Sequence, residues 1–133
     1  MTILVADVGG TSSRLAITSQ NGRFIVGPVR YANRDFASFD EVLADFIQRA
    51  GPQDISACCV AMAGPVGAGQ GRLTNLDWQI SGDDLTTATE AGTALVINDL
   101  TALGYAVARL QPGARTMILP QGENLVSNGQ SLV

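Results

Sequence analysis

Lysine and histidine are both absent from this 133-residue chain. It therefore offers no Walker lysine, Schiff-base lysine, histidine general base or histidine metal ligand, and acid–base chemistry falls to carboxylates. All eight cations are arginines, set against twelve acidic side chains, for a formal charge of −4. That balance, with no basic cluster, argues against nucleic-acid or anionic-membrane partners. Charge of either sign is scarce, at 15% of residues, where ordinary globular proteins carry roughly 25%.

Long apolar runs are missing as well. The longest, Ala57 to Ala63, is far short of the ~18 residues a membrane helix needs. Met1 to Val5 has no basic region of the kind that opens a secretory signal. The expectation is a soluble, cytoplasmic protein. Cysteine is limited to Cys58 and Cys59, adjacent in a strand-like run where neighbours point to opposite faces. No disulfide is expected between them, and both read as small apolar fillers.

What is present is apolar material, 46% of the chain, enough for the core of one domain. With so little charge to cover the surface, some apolar face is expected to meet a second lobe or a twin subunit.

Ile3 to Val8 is nearly continuously apolar, as a strand covered on both faces would be. Ser13 to Thr18 alternates and reads as a strand pairing back on it. Asn21-Gly22 signals a hairpin into a third strand, Arg23 to about Tyr31, where Gly27-Pro28 suggests an edge or a bulge. Phe39, Val42, Leu43, Phe46, Ile47 and Ala50 recur on one helical face, with Ser38 and Glu41 as a capping box and Gly51-Pro52 as a stop. Ile55 to Met62 reads as a buried strand, followed by a flexible glycine-rich loop, Gly64 to Gly71. Ser81 to Ala91 reads as a helix closed by Gly92, and Ala94 to Ile97 as a further strand. Leu100, Leu103, Gly104, Val107 and Leu110 repeat at helical spacing from about Asp99, with Pro112-Gly113 as the end. Arg115 to Leu119 suggests one more strand, and Gly122 to Gly129 is turn-rich. The order βββαβαβα predicts an α/β fold with a mixed sheet of about five strands and flanking helices.

Two segments carry candidate chemistry. In Asp7-Val8-Gly9-Gly10-Thr11, paired glycines let the backbone turn and offer its N–H groups to an oxyanion. Thr11 adds a hydroxyl, and Asp7 is placed to hold Mg2+ through water. A plain Gly-Gly hairpin would leave the same trace. Asn98-Asp99 lies where a strand gives way to a helix, the position at which open α/β sheets bind ligands and also the position of an ordinary N-cap. If the first loop holds a nucleotide's phosphates, Asp99 would accept a hydroxyl proton in phosphoryl transfer, and Asn98 offers a donor and an acceptor to a sugar. Gly64 to Gly71 fails the dinucleotide fingerprint, because its third glycine comes one residue early and an extended stretch follows. Trp78 reads as a core anchor in preference to a stacking platform. Arg14 suits a phosphate or a carboxylate equally.

Taken together, Asp7-Val8-Gly9-Gly10-Thr11 with Arg14-Leu15-Ala16, Val60-Ala61-Met62-Ala63-Gly64-Pro65-Val66, Leu73-Thr74-Asn75-Leu76-Asp77-Trp78 and Ile97-Asn98-Asp99-Leu100-Thr101-Ala102 resemble the bacterial glucokinases of the actin, hexokinase and heat-shock ATPase superfamily. The resemblance implies an RNase H-like lobe on one side of a cleft for ATP, Mg2+ and glucose or a related hexose. In it Asp7, Val8, Gly9, Gly10 and Thr11 form the first phosphate motif, Asp99 is the catalytic base for the 6-hydroxyl, and Asn98 is a sugar ligand. Such kinases have a second lobe with the adenosine pocket. Residues 1–110 are thus expected to form an N-terminal lobe and 111–133 a crossover, the partner being a missing C-terminal lobe or a second copy. Leu100, Leu103, Val107 and Leu110 are expected to lie partly at that face. Two rival readings stay open, a non-catalytic sugar-sensing module and a repressor-related sugar kinase with another hexose preference.

Overall fold

The computed structural model describes residues 1–109, with side chains through Gly104. The chain divides into two units, Met1–Asn98 and Asp99–Val133. The first unit runs β1 (Thr2–Val8), β2 (Ser12–Ser19), β3 (Phe24–Ala32), α1 (Phe39–Ala50), β4 (Ile55–Met62), β5 (Val66–Gly67), β6 (Gln70–Arg72), β7 (Gln79–Ser81), α2 (Gly82–Thr89) and β8 (Thr93–Asn98). In the second, α3 spans Asp99–Arg109. The expected Arg115–Leu119 strand, the Gly122–Gly129 turns, the Pro112-Gly113 stop and the 111–133 crossover lie outside the described residues.

The main sheet has five strands in the order β3-β2-β1-β4-β8. β1, β2 and β3 pair antiparallel, and β4 and β8 add in parallel beside β1. This is the mixed sheet that the chain order predicts. The turn after β2 closes where Asn21-Gly22 indicates, with Gly22 N–H donating to Ser19 O at 2.9 Å. β3 is an edge strand, and its register with β2 also shifts across Leu15–Thr18, opposite Gly27-Pro28, so that dipeptide marks both an edge and a bulge.

The inner face of the sheet and two helices share one core. Leu4, Ala6, Val8, Leu15, Ile17, Cys58, Val60, Met62 and Val96 cluster with Phe39, Val42, Leu43 and Phe46 of α1 and Leu85 of α2. α1 starts where its cap dictates, Ser38 Oγ accepting from Glu41 N–H at 3.3 Å while Glu41 Oε2 accepts from Ala37 N–H at 2.7 Å. It stops at Gly51, whose N–H donates to Ile47 O at 3.2 Å. Cys58 is buried on this face and Cys59 is half-buried on the other; both are free thiols.

Two expectations are corrected. Gly64 to Gly71 is not a flexible loop, because β5, β6 and β7 form a second, three-stranded antiparallel sheet. Ala68 and Gly69, at φ 54° and 75°, make the two-residue turn that pairs Gly67 with Gln70. At Gly71 this sheet meets β4 so closely that a Cβ would run into Met62 Sδ. The second correction concerns α2, which ends at Thr89 and not near Ala91. Glu90, at φ 59°, closes it by donating its N–H to Thr86 O at 2.8 Å. Thr89 supplies what a terminal glycine would otherwise free: its Oγ1 donates to Leu85 O at 2.7 Å and accepts from Ala91 N–H at 3.2 Å. Gly92 instead joins the sheet connection, donating to Ser56 O at 3.1 Å.

Trp78 is 3% exposed, with its ring 6.5 Å from that of Phe39 at 61°, and so acts as the anchor expected. In α3, Leu100 is 65% exposed and Leu103 half-buried; the side chains of Val107 and Leu110 lie outside the described residues.

Candidate functional site

β1, β4 and β8 end level with one another: Val8 stands opposite Met62, and Met62 opposite Asn98. Parallel strands lie ~4.8 Å apart, so the C-terminal ends of β1 and β8 are about 10 Å apart. Backbone and side-chain bonds stitch this edge together. Ala63 N–H donates to Val8 O at 2.9 Å, and Asn98 Nδ2 donates to Gly64 O at 2.7 Å. Along one rim of the sheet, the loop after β1, the turn after β4 and the Asn98 side chain therefore follow in sequence. Asp99, exposed, is the next residue and the first of α3.

The loop after β1 is held from several directions. Gly9 N–H donates to Ser12 O at 2.9 Å and so is spent within the loop. Gly9 O accepts from Asn33 Nδ2 at 2.8 Å, Gly10 O from Asn75 Nδ2 at 2.7 Å, and Thr11 O from Asn33 N–H at 2.9 Å. Among the described residues the N–H groups of Gly10 and Thr11 take no hydrogen bond. Two of the expected amides are thus available and Gly9's is not. A Cβ on Gly10 would lie 3.1 Å from Asn75 Nδ2, so glycine leaves room for that contact. Val8 is fully buried and anchors the loop through its backbone, while Thr11 is exposed.

Asp7 sits on the outer face of the sheet, its side chain 60% exposed, directly across from Arg14. Asp7 Oδ2 and Arg14 Nη2 are 4.0 Å apart, a loose surface pair that brings Arg14 beside a carboxylate. Among the described residues no three His, Cys, Asp or Glu side chains converge. Asp7 is a single carboxylate at the strand end.

Asn33 and Asn75 are the residues that sequence reasoning misses. Asn75 stands out only as part of a motif, and nothing in the local pattern marks Asn33. Its role arises from β3, whose Ala32 pairs with Ser12 and delivers the next residue beneath the loop.

The family model for glucokinase matches residues 4–132. A glucokinase of Caulobacter vibrioides is 35% identical over 111 residues, covering 82% of this chain and 34% of that protein. The crystal structure of a glucokinase from an Antarctic psychrotroph matches with a TM-score of 0.73 at 32% identity, over 84% of this chain and 36% of that one. A ROK family protein from Streptococcus pneumoniae TIGR4 shares the fold, with a TM-score of 0.60 at 22% identity over 82% and 39% of the two chains. The mixed sheet with flanking helices is thus the RNase H-like, actin-type ATPase fold of these proteins. The chain spans about a third of the length of the curated relatives it matches.

Proposed function

Because the chain belongs to the glucokinase family, with which it matches over residues 4–132, we propose that it is the N-terminal lobe of an ATP-dependent kinase that phosphorylates the 6-hydroxyl of glucose. The observation that carries this reading is the level rim of β1, β4 and β8. It sets a loop with two unspent amides about two strand spacings from Asn98, a separation suited to a phosphoryl donor and a sugar bound side by side.

Each residue's part follows from its chemistry. Gly10 and Thr11 offer backbone N–H donors to phosphate oxygens, and Thr11 adds its hydroxyl. Asp7, exposed beside that loop, suits an outer-sphere contact with hydrated Mg2+, which surrenders its waters reluctantly. Bound Mg–ATP supplies the phosphoryl group and neutralises its charge. Asn98, held by its bond to Gly64 O, orients the sugar hydroxyls. Asp99 takes the proton of the 6-hydroxyl as the oxygen attacks; because bond making is little advanced in such transition states, a carboxylate is a sufficient base. The remaining electrostatics come from a second lobe or a twin subunit carrying the adenosine pocket. The cytoplasm, where ATP is supplied, is the compartment that suits this reaction.

The test is ADP formation from ATP and glucose by the protein that carries this chain. Asp99→Asn is expected to lower turnover on the order of 10²–10⁴-fold, the usual weight of a general base, with the glucose KM changed far less. Unchanged turnover would remove Asp99 from that role, and tight glucose binding without any turnover would favour a sugar sensor.

A further inference from the structure

Asn33 is 1% exposed and engages both ends of its side-chain amide on the segment around the loop. Its Nδ2 donates to Gly9 O, its Oδ1 accepts from Ser13 Oγ at 2.7 Å, and its own backbone N–H donates to Thr11 O. Because Gly9 O can only accept, the side-chain amide must face it with its NH2 group, which leaves the oxygen end to the Ser13 hydroxyl. Asn75 makes the matching contact one peptide further on, at Gly10 O.

The consequence follows from peptide geometry. In a planar trans peptide the C=O and N–H point in opposite directions. Fixing Gly9 O toward Asn33 therefore aims Gly10 N–H away from Asn33, and fixing Gly10 O toward Asn75 aims Thr11 N–H away from Asn75. Glycine flanks the first of these peptides on both sides, so nothing intrinsic to the chain prevents it from flipping. Asn33 restrains this peptide through Gly9 O, and Asn75 restrains the next one through Gly10 O.

We propose that Asn33, together with Asn75, is a positioning residue that sets the Gly10 and Thr11 N–H groups for a polyphosphate oxyanion by holding the carbonyls of Gly9 and Gly10. This rests on the reading of the loop as a phosphate site. Neither asparagine touches the ligand; each acts through the peptide it restrains. Pre-set donors avoid the cost of ordering a mobile loop at the moment of binding.

The experiment titrates the 15N-labelled chain with inorganic pyrophosphate and follows the Gly10 and Thr11 amide resonances. Both are expected to shift in the wild type. Asn33→Asp, which turns an oxygen toward Gly9 O, and Asn75→Ala are each expected to weaken binding about tenfold or more. Each should also displace the ligand-free Gly10 and Thr11 resonances while the β1 and β4 amides stay in place. Asn75 is exposed, so its truncation is expected to leave the unfolding midpoint unchanged. If Asn33→Asp fails to fold, Asn75→Ala and Ser13→Ala, which releases the oxygen end of Asn33, carry the same expectation. Wild-type affinity in a folded variant of this set, whatever its stability, overturns the positioning role and leaves the phosphate reading intact. Absence of any Gly10 or Thr11 shift in the wild type overturns the phosphate reading and the proposal with it.

Discussion

Tyr31 illustrates how one side chain ties the sheet edge to a helix. Its hydroxyl donates to Asp45 Oδ2 at 2.8 Å, Arg49 Nε lies 2.7 Å from the same oxygen, and the guanidinium carbon stands 5.9 Å from the ring centroid. The bond joins β3 to α1 two residues before Asn33, next to the segment that restrains the loop. Burial, followed by the hydrogen bond and negative charge of Asp45, pushes the phenol up to about 12, with Arg49 opposing. A pKa raised in the fold stabilises the protein below the unfolded value of about 10 and ceases to do so as pH climbs through the folded value. Absorbance titration is expected to show Tyr31 ionising near 12, and Asp45→Asn to bring that midpoint down toward 10. Ionisation near 10 in the wild type would mean that neither the burial of Tyr31 nor its Asp45 bond holds in solution.

α1 is where sequence and structure agree most closely at the level of whole elements. Phe46 is fully buried in the core beneath the sheet, whereas Ser38 only satisfies an exposed helix end. The two should separate in urea unfolding. Phe46→Ala is expected to cost about 3–5 kcal/mol through lost burial and a cavity, and Ser38→Ala about 1 kcal/mol through a lost cap. Similar losses from both would mean that the Phe46 site collapses without a cavity. The helix was legible because its cap, apolar stripe and stop are all set within a few neighbouring residues, and the Asn21-Gly22 hairpin for the same reason. The small sheet was not. β5 and β6 are too short to show a period, and they are defined by their pairing, Gly71 standing opposite Val66 on one side and Ile80 on the other. At the candidate site, the strand-end positions of Asp7 to Thr11 and of Asn98 were legible. The Arg14 partner needed the register of β1 with β2, and the restraint of the loop comes from residues 24 and 65 positions away in the chain. Local pattern carries no such information.

At the scale of the whole molecule the dominant fact is how little can titrate near neutrality. Without histidine, no side chain has an ordinary pKa between about 5 and 8. The two thiols retreat further from that window: burial, then the neighbouring Cys59, pushes Cys58 up to about 12, and burial raises Cys59. Asp40 shifts upward through burial and the charge of Asp84, so its contribution favours the fold as pH falls and is lost as pH rises through its folded value. That change belongs to the acid limb. Thermal unfolding followed over pH is therefore expected to give a level midpoint between about 6 and 8. Above about 9 the midpoint should fall, because Cys58 and Tyr31 both release protons more readily when unfolded than when folded. A steep change in the unfolding midpoint between 6 and 8 would show that some group of this chain is perturbed into that range, against the upward displacement of its thiols.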